Sequence, residues 1–149
     1  MVERFMGTIE PFADVDVSDL AAWLRAIPVA EWPQMADPAW RGCGDRCRPL
    51  ADALMAEFPG CAISGLGLFL LAPGQVHPAH RDEQALDWVT RVHVPIVTNA
   101  QATVTTDDGE FHMEVGKAYR FNTWATHAVA NHGTTPRVHL VFDIKKGRS

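Results

Sequence analysis

The sequence predicts a mainly β protein: a jelly roll, or double-stranded β-helix, with two short N-terminal helices packed on one sheet. Short apolar runs recur from residue 61 onward, turn residues separate them, and two helix-like runs precede them. A chain of 149 residues is long enough to bury a sizeable core as one domain. We therefore expect one domain over residues 1–149, with a helical buttress over about 1–60 and a jelly-roll core over about 61–145.

The N-terminal part of the chain contains one extended run and two helical runs. Residues 9–15 are expected to be extended. Ser18 is the predicted N-cap of a helix that Pro28 ends, and the large apolar residues of this helix share one face. A second helix is predicted over residues 50–58, because Pro49 suits a first helical turn. The apolar face of the first helix indicates that it covers another layer of the fold.

The remainder of the chain has the alternation typical of strands. Turn residues at Pro73-Gly74, Asp107-Asp108-Gly109 and Asn131-His132-Gly133 separate several apolar runs. Eight strands fit a jelly roll, and they are predicted over residues 62–72, 75–80, 91–98, 101–106, 110–115, 117–121, 126–131 and 137–144.

Composition excludes some classes of partner. A formal net charge of -5 disfavours nucleic acid, because phosphate binding needs a basic surface. No apolar run approaches the roughly 20 residues of a membrane span, and the first residues do not resemble a secretory signal. Cys43, Cys47 and Cys61 make an odd number of cysteines, which favours a reducing cytoplasm and free thiols over a zinc site.

The segment His80-Arg81-Asp82, together with His127, has the composition of a metal site. Residues two apart on a strand point to the same side, so His80 and Asp82 would face a common point. His127 would come from another strand. Two histidines and a carboxylate with open positions opposite them are typical of non-haem Fe(II) oxygenases. His77 could coordinate in place of His80, but the intervening Pro78 makes a supporting position around the metal the better interpretation.

Two predicted strands alternate basic and aliphatic residues. Arg91 and His93 would share one face of their strand, and Arg137 and His139 one face of theirs. If these faces point inward, the arginines need an anion, and two arginines beside a ferrous ion suit a dicarboxylate such as 2-oxoglutarate. If the faces point outward, the arginines are ordinary surface residues. Periodicity alone leaves both interpretations open.

Taken together, these segments resemble the aspartyl/asparaginyl β-hydroxylase family of Fe(II)/2-oxoglutarate dioxygenases. The resemblance covers roughly residues 66–144 and is closest to the bacterial branch that hydroxylates free amino acids, including proline. The matching segments are Ala72-Pro73-Gly74, His80-Arg81-Asp82, and residues 91–99, 116–122, 127–133 and 137–143.

The resemblance implies a role for each matching residue. His80, Asp82 and His127 would bind iron, and Arg137 would hold the distal carboxylate of 2-oxoglutarate. Arg91 and His93 would line the cosubstrate pocket near the metal; Phe69 stands where one branch of the family has a cosubstrate-binding serine.

The implied activity is hydroxylation of an unactivated C–H bond in an amino acid or an amino-acid-containing substrate, with O2 consumed and succinate and CO2 released. The expected partner is thus a small amino acid or peptide. Asn131 or Asn122 could orient the ligating imidazoles. The substrate is expected near the loop after Asp82, and its candidate contacts are Asp87, Trp88, Trp124 and Asn122.

Two other classes compete with this interpretation. Gly74, His80, Gly116, His127 and Asn131 loosely match the two glycine-histidine motifs of cupins, which are also jelly rolls. A cupin-like metal enzyme or small-molecule-binding jelly roll would not use 2-oxoglutarate. A metal-free regulatory domain could also retain the fold.

Overall fold

The computed structural model of the chain describes residues 2–33 and 37–147. Two antiparallel sheets form the described fold, one of five strands in the order β1-β7-β4-β9-β2 and one of four in the order β3-β8-β5-β6. The mainly β jelly-roll prediction is confirmed. The helices and strands are β1 (Ile9–Asp14), α1 (Ser18–Arg25), α2 (Cys43–Leu54), β2 (Cys61–Leu71), β3 (Val76–His80), β4 (Trp88–Val97), β5 (Ala102–Thr106), β6 (Gly109–Phe111), β7 (Lys117–Phe121), β8 (His127–Asn131) and β9 (Arg137–Lys146).

The helices cover the outer face of the five-stranded sheet. Alternate side chains of the neighbouring strands β4 and β9, including Val92 and Leu140, are fully buried. They belong to one apolar cluster with Leu24 of α1 and Ala51 of α2. Each Å² of apolar surface buried in this contact contributes about 25 cal/mol to the stability of the fold. The expected packing of both helices on one sheet is therefore confirmed.

The basic residues of β4 and β9 lie on the opposite face of the same sheet, which points into the space between the two sheets. Strand alternation places Arg137 and His139 of β9 on this inner face, where their exposed fractions are 6% and 2%. In the pairing of β2 with β9, Arg137 lies opposite Leu71 and His139 lies opposite Phe69. The inward-facing interpretation of the basic residues is thus correct.

The N-terminal elements differ from the prediction in two details. Helix α2 begins at Cys43, and Pro49 lies inside it instead of in its first turn. Cys43, Cys47 and Ala51 follow one another at four-residue spacing and are all buried. Burial of this apolar face stabilises the helix even though Pro49 cannot donate a backbone hydrogen bond. Ser18 is the first residue of α1 and not its N-cap; its hydroxyl donates to Asp16 Oδ1.

Two strand boundaries differ from the prediction by three residues or more. Strand β4 begins at Trp88, three residues before the predicted start, because Thr90 and Trp88 continue its pairing with β9. Strand β6 ends at Phe111 instead of residue 115. The three cysteines are free thiols, with Sγ of Cys43 and Sγ of Cys47 4.0 Å apart. Within the described residues, no helix combines the length and the apolarity that a membrane crossing requires.

Candidate active site

The structure brings together the three side chains that the sequence predicts to be metal ligands. Strand β3 ends at His80, which lies opposite His127, the first residue of β8. Asp82 follows two residues later, and its backbone N–H donates to the carbonyl of Thr123 at 2.9 Å. One potential ligand atom from each of the three side chains lies within 4.8 Å of the other two. Pairing of the strand ends therefore fixes a compact group of two imidazoles and one carboxylate.

Backbone carbonyls orient both imidazoles. Nδ1 of His80 lies 2.7 Å from the Pro78 carbonyl, and Nδ1 of His127 lies 2.9 Å from the Ala125 carbonyl. A carbonyl only accepts, so each Nδ1 carries a proton, and in the neutral tautomer of each ring the lone pair lies on Nε2. These Nε2 atoms lie 3.4 Å (His80) and 3.8 Å (His127) from the carboxylate of Asp82.

The chemistry of this donor set suits a divalent transition metal. Burial lowers the pKa of His127, which keeps its Nε2 unprotonated and able to bind a cation. Two nitrogen donors and one carboxylate on one side of a cation leave its other positions open. The assignment of His80, Asp82 and His127 as ligands stays a prediction.

A guanidinium bridge connects the candidate metal group to the sheet. Arg91 Nη1 donates to Asp82 Oδ2 at 3.3 Å, while its Nε and Nη2 donate to the two carboxylate oxygens of Asp143 at 3.0 and 3.2 Å. Trp88 Nε1 also donates to Asp143, at 3.0 Å. Arg91 therefore contacts the cavity, as expected from the sequence, but two carboxylates already compensate its charge. Sequence reasoning missed Asp143; its place opposite Arg91 in the pairing of β4 with β9 is the signal that could have found it.

A cavity of about 270 Å³ opens beside the candidate metal group. Its apolar wall includes Phe69, which is 39% exposed, and its rim includes His77, which is not part of the candidate metal group. The remaining polar side chains that line it, apart from Thr123, are those predicted for metal and cosubstrate: His80, Asp82, Arg91, His93, His127 and Arg137.

Arg137 is the most unusual group in this cavity. Its side chain is buried, its Nε has no hydrogen-bond partner, and no described carboxylate forms an ion pair with it. Burial lowers its pKa to about 10. A buried guanidinium without a counter-charge is costly, so the arrangement favours an anion in the cavity.

His93 and His139 form a buried pair of imidazoles in the same part of the fold as Arg137. Their Nδ1 atoms are 3.0 Å apart. Burial, with the positive charge of Arg137 as the next cause, lowers the pKa of both rings well below the usual value. Both imidazoles are therefore neutral, and among the described residues nothing compensates the charge of Arg137 in this wall.

The four predicted substrate contacts do not line the cavity. Asn122 is buried, donates to the Gly7 carbonyl at 2.9 Å and accepts from the backbone N–H of Trp124, so it ties two segments together and orients neither imidazole. The Trp124 ring is half-buried and stacks against Arg4, whose guanidinium lies 5.0 Å from the ring centroid.

The other two candidates also lie outside the cavity lining. Trp88 is fully buried and contacts Asp143, a position that argues against direct contact with a substrate. Asp87 is exposed at the turn before β4, and its carbonyl accepts from Lys146 N. Asn131 donates to the carbonyls of Leu71 and Thr135, and the imidazoles are held by backbone carbonyls instead.

Comparison with known sequences places these features in a family context. A family profile described as aspartyl/asparaginyl β-hydroxylase matches residues 7–147. An L-proline cis-4-hydroxylase of Rhizobium meliloti (strain 1021) is 34% identical over 67 residues, which are 44% of this chain and 24% of that protein. The alignment thus spans about a quarter of the curated relative.

Solved structures share the fold at low sequence identity. A viral collagen prolyl hydroxylase of Paramecium bursaria Chlorella virus 1, in a 2-oxoglutarate complex, matches with a TM-score of 0.64 and 10% identity, over 95% of this chain and 97% of that one. A Pseudomonas putida prolyl-4-hydroxylase matches with a TM-score of 0.56 and 18% identity, over 97% and 95% of the two chains. These similarities support the jelly-roll architecture.

Proposed function

The chain belongs to the aspartyl/asparaginyl β-hydroxylase family, and from that membership we propose that it is an Fe(II)- and 2-oxoglutarate-dependent dioxygenase. Its proposed reaction is hydroxylation of a C–H bond in an amino acid or an amino-acid-containing substrate. One observation carries this proposal: the cavity that holds the two-histidine, one-carboxylate group also holds the buried guanidinium of Arg137, which has no ion-pair partner among the described residues.

The proposed metal ligands are His80, Asp82 and His127. Both histidines have Nδ1 bound to a carbonyl, so their Nε2 atoms, which lie 3.4 and 3.8 Å from the Asp82 carboxylate, could bind a metal without any change of tautomer. A ferrous ion held there would supply the site at which O2 is reduced as 2-oxoglutarate is converted to succinate and CO2. The task of the protein is to position the reactants and to exclude water from them.

Arg137 is the proposed partner of one cosubstrate carboxylate. A guanidinium binds a carboxylate with two parallel hydrogen bonds, and such a pair would remove the cost of the buried charge. Arg91 cannot serve in the same way, because Asp82 and Asp143 already accept its hydrogen bonds. A volume of about 270 Å³ suits a small diacid, at the lower end of typical ligand cavities.

The substrate is proposed to approach the metal from the open side of the cavity. The side chain of His80 is 43% exposed, whereas that of His127 is 4% exposed, so the metal group lies between the buried anion wall and the solvent. Phe69 and His77, which are both exposed, also line this cavity. Proline and prolyl peptides are the first candidates, because the similar proteins are named as proline or prolyl hydroxylases.

Detection of succinate tests the proposal. The protein is incubated with Fe(II), 2-oxoglutarate and ascorbate across a panel of amino acids and short prolyl peptides, with Asp82→Ala as the inactive control. We expect succinate in equal amount to a product 16 mass units heavier than one panel member. Metal binding without any consumption of 2-oxoglutarate would instead support a cupin-like enzyme.

A further inference from the structure

His93 and His139 determine each other's protonation. Their Nδ1 atoms lie 3.0 Å apart, and the two side chains are 8% and 2% exposed. A hydrogen bond between two ring nitrogens requires a proton on one of them and a lone pair on the other. Because burial lowers the pKa of both rings, each is neutral and carries one proton.

Two arrangements of these protons satisfy the contact. In the first, His139 Nδ1–H donates to His93 Nδ1, so the proton of His93 lies on its Nε2. In the second, His93 Nδ1–H donates to His139 Nδ1, so the proton of His139 lies on its Nε2. The two arrangements present opposite groups to the cavity: His93 Nε2 is a donor in the first and an acceptor in the second.

The buried end of His139 distinguishes the two. Its Nε2 is fully buried and has no hydrogen-bond partner among the described residues. The second arrangement would leave an N–H donor orphaned there, whereas the first leaves only a lone pair, and orphaned buried N–H groups are the rarer of the two.

We propose that His139 is a positioning residue that holds His93 as its Nε2–H tautomer, so that His93 donates a hydrogen bond to the anion paired with Arg137. His93 lines the cavity, and no described residue accepts a hydrogen bond from its Nε2. This wall of the cavity then presents donors only, which selects an ionised carboxylate and rejects a ligand group that must itself donate. The inference rests on the proposed function for the identity of the anion, 2-oxoglutarate.

Nitrogen NMR of the histidine rings tests the tautomer directly. Long-range 1H–15N spectra of the metal-free and ligand-free protein distinguish protonated from unprotonated ring nitrogens, with His93→Leu and His139→Leu used for assignment. We expect the proton on Nε2 of His93 and on Nδ1 of His139. A proton on Nδ1 of His93 would overturn the proposal. This measurement does not depend on 2-oxoglutarate binding, so it can fail independently of the proposed function.

Affinity for 2-oxoglutarate tests the consequence. His139→Leu removes the donor at similar volume, and loss of one oriented hydrogen bond to a carboxylate is expected to weaken binding about 10-fold. The KM for 2-oxoglutarate should rise by the same factor while kcat at saturation is retained. His139→Asn can still donate from its side-chain amide and should stay within about threefold of wild type.

His112→Leu is the matched control. His112 is a half-buried histidine whose Nδ1 donates to the Ala102 carbonyl, and it does not line the cavity. Its loss should leave 2-oxoglutarate affinity unchanged. A folded His139→Leu protein with wild-type affinity would overturn the proposal. If His139→Leu does not fold, the wild-type NMR spectrum still decides the tautomer.

Discussion

Replacing Arg137 with methionine should have opposite effects on stability and on 2-oxoglutarate binding. Burial of Arg137, with no counter-charge among the described residues, lowers its pKa from its usual value to about 10. At about 1.4 kcal/mol per pH unit, this corresponds to roughly 3 kcal/mol against the charged form in the ligand-free fold. Methionine fills similar space without a charge, so ligand-free Arg137→Met should be more stable than wild type by up to about 3 kcal/mol.

The sign of the effect follows from proton linkage. The folded-state pKa lies below the unfolded-state pKa, so the folded state carries the full penalty at every pH below about 10. Since about 1 kcal/mol shifts the midpoint of a domain this size by roughly 2–4 °C, thermal unfolding of Arg137→Met should occur up to about 10 °C higher. Its affinity for 2-oxoglutarate should fall roughly 100-fold, because a buried charge pair contributes about 2–5 kcal/mol.

Thermal scans and calorimetric titration measure both quantities. Saturating 2-oxoglutarate should raise the wild-type midpoint and barely change that of Arg137→Met. Arg48→Met is the control: Arg48 is exposed on α2 and pairs with Asp52 at 3.0 Å, so its loss should change stability by less than about 1 kcal/mol and leave 2-oxoglutarate binding intact. An Arg137→Met protein that is less stable than wild type and still binds 2-oxoglutarate tightly would refute the reasoning.

Two further predictions concern the groups around the metal and the anion. Asp143→Asn should weaken Co(II) binding, measured by chelator competition, about 10- to 100-fold, because Asp143 holds the guanidinium that contacts Asp82. Trp88→Phe removes one hydrogen bond to Asp143 and should have a smaller effect; wild-type affinity in a folded Asp143→Asn protein would contradict this role. The metal-free protein should lose stability in urea as the pH falls from 7 to 5. Burial holds the pKa of His93, His127 and His139 below that of an unfolded histidine, so the unfolded chain takes up protons at a higher pH than the folded chain. Each of these histidines should therefore lower the free energy of unfolding by up to about 1.4 kcal/mol per pH unit. A free energy of unfolding that does not change between pH 7 and 5 would exclude this linkage.

Residue patterns were sufficient to predict most of the fold. Turn residues and strand alternation placed the strands from Cys61 onward within a few residues, and the first helix ends at Arg25, three residues before Pro28. The start of α2 could not be predicted from the local sequence. Pro49 favours a helix that begins near residue 49, but burial of Cys43 and Cys47 stabilises a helix that begins at Cys43.

The proposed site was predictable only in part. The spacing of His80, Asp82 and His127 indicated a common metal site, and these side chains do converge. Sequence could not decide whether Arg137 faces inward, because that depends on which side of β9 the helices cover. The groups that orient the imidazoles are backbone carbonyls, which no residue pattern reveals. Asp143 meets Arg91 through strand pairing across a long sequence separation, so neither position alone indicated the bridge.

Anaerobic calorimetric titration of 2-oxoglutarate tests the central claim most directly. The titrant is added to the Fe(II)-loaded protein, to the metal-free protein and to Asp82→Ala in the presence of Fe(II). We expect one 2-oxoglutarate per chain in the Fe(II)-loaded wild type, and much weaker binding in the other two samples. Equal affinity in all three samples, or no binding to the Fe(II)-loaded wild type, would contradict a shared metal and cosubstrate site.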